Sequence, residues 1–298
     1  MRLNALLAVL IATMAAQEAD AVPFYSAYGP GGANPGLDTI DTVTAAVTPI
    51  GTGVGVTGFF AAAFDTDGTL YGIVNAMTTP QLATINLTTG VASVIGTLGI
   101  PSTEHRDTAL EIGANGIAYT VGWDENLYTL NKSTGQASLV GTTGLTLANG
   151  IMELAFDSHG TLWGVELNTL YTFDLSTGVA TTKPVIQIPT TPVVLGMVMG
   201  LAFDANDHLF ATTFGAPGSL LEVDPTSGAA TVINNNIGTR PHGGDIFIAP
   251  VPEPGTLALF AGGLFGLGWA RRSAPRRSSS RVRIRTCACS VNRSEHRT

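Results

Sequence analysis

Few residues in this chain have side chains suited to chemistry, and they are scattered. His105, Arg106, Asp107, Glu153, His242 and Asp245 stand beside apolar, strand-like runs. Charged residues are 12% of the 298 positions, about half the usual share of roughly 25%. Carboxylates grouped with a histidine can hold a divalent cation. Calcium asks for about six to eight oxygens, so backbone carbonyls and water would have to complete such a shell. The plain alternative is a set of hydrogen-bonded or solvated polar groups. Other signatures fail. No G-x-S-x-G motif presents a nucleophilic serine, and no G-x-G-x-x-G stands between a strand and a helix. Asp65, Asp67 and Gly68 open like a calcium loop, but no glutamate follows at the required spacing, so a β-turn is expected there. Cys287 and Cys289 both fall in the final stretch, which leaves the rest without a disulfide framework or thiolate ligand. No metal and no cofactor are expected.

The elements that must position these residues repeat along the chain. Four segments align, and the glycines closing their last hairpin turns, Gly90, Gly135, Gly178 and Gly228, are spaced by 45, 43 and 50. A period near 45 with several short strands is the pattern of a β-propeller blade. Each unit has an apolar first strand, such as Leu201-Ala202-Phe203, and a turn opened by Asp65, Asp157 or Asp204. A second strand, a third ending in Asp or Asn, a Ser/Thr-rich loop with its glycine, and an alternating outer strand follow. Between Val22 and Pro250 no helical periodicity occurs. A fifth unit is split: 37–51 matches third and fourth strands, and 243–250 matches a first strand. The expected fold is therefore all-β, a propeller of about five four-stranded blades closed by a blade shared between the chain ends, over residues 22–249. Ligands of such a ring sit at the axis, where inner strands and loops converge. Glu153 aligns with Ala61, Ala109 and Gly200, and roughly with Asp245 in the split unit, so Glu153, Asp245, His242 and Asp107 form the candidate channel site. Trp123, Trp163, Tyr71 and Tyr171 are expected to pack between blades.

Both ends of the chain differ from the repeat. Residues 1–21 have Arg2, an apolar run over 6–16, and Ala19 and Ala21 in a small-x-small pattern. That is the form of a secretory signal peptide cleaved before Val22. Near the other end stand Val251, Pro252, Glu253 and Pro254, then an uncharged run over 255–270, then Arg271 and Arg272. Sixteen residues make about 24 Å of helix, just short of the usual span, so a single membrane helix with its arginines inside is expected. Residues 271–298 hold nine arginines against Glu295, a net of +8. With −8 for the whole chain, the rest carries −16, which argues against a phosphate backbone as partner, so no nucleic acid is expected. The order Pro-Glu-Pro, apolar helix, arginine cluster resembles the PEP-CTERM sorting signal of exopolysaccharide-producing bacteria. The resemblance covers 250–272 and implies export by the Sec machinery, transient anchoring in the inner membrane, and processing by an exosortase. The chain departs from that pattern by continuing through 273–298, read as a basic disordered tail.

The expectation from these parts is an exported propeller directed to the cell surface or extracellular matrix. Its role would be binding or structural, linked to exopolysaccharide, biofilm or other surface proteins. The alternative is an exported metal-dependent hydrolase, similar to lactonase propellers, using the channel carboxylates.

Overall fold

The computed structural model describes residues 21–28, 35–100, 109–147, 149–188, 196–215, 218–238 and 241–248. The expectations for residues 1–20, for the sorting and membrane segment, for the basic tail, and for His105, Arg106 and Asp107 lie outside them.

Turn chemistry sets the rhythm. In the first turn Asp65 N donates to Thr69 O, and Gly68, at φ 85°, donates back to Asp65 O. Asp157 with Gly160 repeats this pattern. In the last hairpin of each unit an Asn or Asp side chain caps its own loop. Asn86 Oδ1 accepts from Thr88 N and Thr89 N, and Asn131 and Asp174 do likewise.

These turns space twenty strands into five four-stranded antiparallel sheets. Blade 1 is β4 (Ala61–Phe64), β5 (Leu70–Val74), β6 (Gln81–Ile85) and β7 (Ala92–Thr97). Blade 2 is β8 (Glu111–Ile112), β9 (Ala118–Val121), β10 (Asn126–Leu130) and β11 (Ala137–Thr142). Blade 3 is β12 (Glu153–Phe156), β13 (Leu162–Glu166), β14 (Thr169–Phe173) and β15 (Ala180–Val185). Blade 4 is β16 (Met197–Phe203), β17 (Leu209–Phe214), β18 (Ser219–Val223) and β19 (Ala230–Asn234). Blade 5 joins β20 (Pro241–Ile246) to β1 (Pro23–Tyr28), β2 (Gly36–Asp41) and β3 (Val47–Ile50), in the order β20-β1-β2-β3. The split blade thus exists, and β1 supplies the second strand that the repeat alignment left out.

Register shows how the blades correspond. One row runs Phe64–Leu70–Ile85–Ala92 in blade 1, and Ile112–Ala118–Leu130–Ala137 in blade 2. It runs Phe156–Leu162–Phe173–Ala180 in blade 3, and Phe203–Leu209–Val223–Ala230 in blade 4. In blade 5 it is Ile246–Phe24–Ile40–Val47.

The core lies between the blades, one apolar cluster at each of five seams. Phe60, Ile73, Leu110 and Tyr128 meet between blades 1 and 2, and Val165, Leu170, Leu201 and Leu209 between blades 3 and 4. Burying a side chain of this size stabilises by about 1.5–3 kcal/mol. Backbone joins the seams further out. The first residue of an outer strand donates across to the preceding blade's linker: Ala92 N to Val54 O, Ala137 N to Leu98 O, Ala180 N to Thr143 O, and Ala230 N to Gln187 O. Beside these bonds the chains touch too closely for side chains. A Cβ on Gly96 would lie 2.2 Å from Thr134 O, and one on Gly135, at φ 81°, would lie 2.5 Å from Gly96 O. The repeating glycines seen in the sequence are therefore contacts between blades as well as turn residues.

Candidate functional site

The five first strands β4, β8, β12, β16 and β20 surround the axis. The innermost strand of each blade is an edge strand, with amides that no neighbouring strand can accept. Carboxylates accept several of them. Glu153 Oε1 accepts from Leu110 N at 3.2 Å and Leu154 N at 3.0 Å, while Oε2 accepts from Gly244 N at 2.8 Å. One side chain of β12 thereby ties blade 3 to blades 2 and 5. Asp245 Oδ2 accepts from Phe64 N at 2.8 Å in blade 1, and its Oδ1 from Ile246 N at 2.7 Å.

The ladder rows correct the rough equivalence of Glu153 with Asp245. In the row that contains Ile246 and Phe156, Glu153 lies three residues before Phe156, which matches Gly243. Asp245 matches Ala63, Ala155, Ala202 and Glu111. Space explains the pairing. A Cβ on Gly243 would lie 1.8 Å from Glu153 Oε2, 2.6 Å from Phe60 O and 2.9 Å from Ala61 Cα. The long acid on one blade occupies the place that the glycine on another leaves open.

A third acid belongs to this group. Glu111 on β8 is buried, its Oε2 has no hydrogen-bond partner among the described residues, and Ile112 N bonds its carboxylate. Sequence reasoning stopped at the row of Glu153. Extending the same alignment by two residues would have found Glu111 where three blades have alanine. Burial pushes the carboxyl of Glu111 well above the usual range, and the nearby charges of Asp245 and Glu153 add to it. Burial likewise raises Glu153 well above that range against the pull of its three amide donors. It raises Asp245 to about 7. The group therefore holds protons near neutrality.

His242 does not join the carboxyls. Its ring packs edge-on against Phe60 and Phe214, at 5.1 and 4.9 Å between centroids. Burial pushes it down to about 3, so it is neutral. Its carbonyl accepts from Ser26 Oγ, and its Nδ1 has no partner among the described residues. Of the four candidate channel residues, the structure brings together Glu153 and Asp245, sets His242 between two phenylalanines, and leaves Asp107 outside the described residues.

A divalent cation does not fit this group. Both oxygens of Glu153 and both of Asp245 are directed at backbone amides, which leaves one uncommitted carboxylate oxygen where several are needed. Among the described residues no three His, Cys, Asp or Glu side chains are grouped to hold a metal. Two of the aromatics pack between blades: Trp163 lies against Phe203, and the Tyr71 ring under Lys132.

Comparison with known proteins adds three findings. Residues 250–272 match the family model described as the PEP-CTERM protein-sorting motif, so the chain carries that motif behind a five-bladed propeller. No curated protein sequence matches the chain. Among solved structures it is similar to a structural-genomics protein of unknown function from Bacteroides thetaiotaomicron. The identity is 14% and the TM-score 0.51, over 76% of this chain and 65% of that one. This chain therefore spans just under two thirds of that relative's length. It is also similar to a chain in a nidogen/laminin complex, at 11% identity and TM-score 0.51, over 78% of this chain and all of that one. At these identities the likeness shows the fold alone.

Proposed function

We propose, from the premise that residues 250–272 are a PEP-CTERM sorting motif, that the propeller is an exported cargo for the cell surface or extracellular matrix, with a binding or structural role. The motif carries this reading. Such a signal has an exosortase as its processing partner, and the body in front of it is what the signal delivers. The axis supports a non-enzymatic role over a hydrolase, because the carboxylates of Glu153 and Asp245 are committed to the edge amides of the inner strands. The acidic body, with −16 outside the arginine tail, suits a solvated extracellular particle. A link to exopolysaccharide or biofilm follows from the setting of the sorting system.

Glu253→Ala tests the reading, with a tag in an exposed loop of the propeller and expression in a host that has an exosortase. The wild-type body is expected in the surface or medium fraction. The variant is expected to accumulate as membrane-bound precursor. If the variant is processed and distributed like the wild type, the sorting role is lost and the segment becomes a plain anchor.

A further inference from the structure

The ring is cut at a particular place. In blades 1 to 4 a turn joins the first strand to the second, as the turn from Asp65 to Thr69 joins β4 to β5. In blade 5 the first strand is β20 and the second is β1, so that position holds instead the points where the chain enters and leaves the propeller. Ile246 stands opposite Phe24, in the row that holds Phe64 and Leu70 in blade 1. From that row both segments continue outward. Phe247 packs on Phe64, at 5.1 Å between centroids, and reaches the first turn of blade 1, where a Cβ on Gly68 would lie 3.4 Å from its ring. Beside it Val22 O accepts from Thr42 N, and Val22 N donates to Thr42 Oγ1 at 3.2 Å, in the last-hairpin loop of blade 5.

The first turns and the last-hairpin loops of the blades all lie at this end of the strands, and the second turns and the linkers between blades lie at the other. The chain therefore enters and leaves by one face, the turn face. Because β20 is the innermost strand of its blade, the exit lies near the axis. Between Ile248 and the uncharged run that opens at Gly255 stand six residues, 249–254. Fully extended they span about 20 Å. A path round the rim to the opposite face would cross the width of four paired strands, about 14 Å, and then the height of a strand such as β5, about 17 Å for its five residues. Six residues cannot make that detour.

We infer that, while residues 255–270 are held in the membrane, the turn face is the side of the propeller set towards the lipid headgroups, and the opposite face, made of the second turns and the linkers, is the one presented to a binding partner. The inference rests on the sorting reading, which places 255–270 in the membrane. The other end of the body agrees with it. The apolar run over 6–16 joins the propeller through Val22, which enters by the same face. A chain still carrying its signal peptide is thus held on the same side as one held by its sorting segment.

Single cysteines test this, because the two cysteines of the chain, Cys287 and Cys289, lie outside the propeller and are changed to serine. Thr88→Cys and Thr226→Cys mark exposed loop positions of the turn face in blades 1 and 4. Thr79→Cys and Asn235→Cys mark exposed positions of the opposite face in the same blades. Each full chain is made in a host without an exosortase, labelled with a fluorophore, and reconstituted into vesicles of phosphatidylethanolamine and phosphatidylglycerol that carry a short-range quencher on their headgroups. Quenching is expected to be about twofold stronger at positions 88 and 226 than at 79 and 235, since the strands set the two faces about 17 Å apart. Glu253→Ala, which tests the sorting reading, keeps the run over 255–270 and is expected to leave this order unchanged. Equal or reversed quenching, averaged over the two blades, overturns the inference and leaves the sorting reading standing. A chain that does not float with the vesicles overturns both.

Discussion

Glu153 shows how one side chain can replace a strand. The inner edge of each blade has amides facing the axis, and a central channel gives them no strand to pair with. Glu153 gathers three of them, from three blades, into one carboxylate. An unpaired buried amide costs about 1–3 kcal/mol, so these bonds matter to closure as much as apolar contacts do. The arrangement depends on the absence of a side chain at position 243. Gly243→Ala puts a carbon 1.8 Å from Glu153 Oε2 and also 2.6 Å from the Phe60 carbonyl, where backbone must move. A loss of about 2–3 kcal/mol is expected in chemical denaturation, and shortening Glu153 to Asp should not restore it. Recovery in the Glu153→Asp background would mean that the side chain alone sets the limit.

Strands β20 and β1 decide whether the ring is a ring. The chain enters blade 5 at β1 and returns to it at β20, so this sheet joins residues more than 200 apart in sequence, as in Phe24 opposite Ile246. Removing β20 takes away the inner strand of blade 5, the Gly244 donor of Glu153, and the Asp245 carboxylate that accepts Phe64 N. It exposes β1 as a new edge. A chain ended after Thr239 is therefore expected to lose its cooperative thermal transition and to bind a hydrophobic dye in its native buffer. A transition at the wild-type temperature would show that blade 5 is an ornament on a four-bladed core.

At the scale of the whole molecule, the axial acids link the ring to pH. The Asp245 carboxyl moves from an ordinary 3.8 to about 7, and Glu111 and Glu153 move in the same direction. The folded ring therefore holds protons that the unfolded chain gives up. Stability from this source is fully present below the unfolded pKa, about pH 4, and declines as pH rises through about 7. The midpoint of thermal unfolding should be higher near pH 5 than near pH 8, and Asp245→Asn should flatten that slope. A slope that Asp245→Asn leaves unchanged would assign the pH dependence to other groups.

The repeat, the turn residues, the split blade and the sorting motif were all readable along the chain, because each is set by neighbours a few residues apart. Asp65 and Gly68 make their turn wherever the chain goes, and Gly90, Gly135, Gly178 and Gly228 mark a period that local spacing alone reveals. Strand β1 carried the needed signal too. Phe24-Tyr25-Ser26 matches Leu70-Tyr71-Gly72 in register, but the first strand of its blade is β20, from the other end of the chain. What the residues meet across the axis and across the seams depended on closure. Glu153 and Gly244 are 91 residues apart and Phe64 and Asp245 are 181 apart, and no local pattern encodes which acid faces which amide. The common face by which the chain enters and leaves the propeller arises in the same way. It exists because blade 5 is built from both ends of the chain, with Phe24 opposite Ile246.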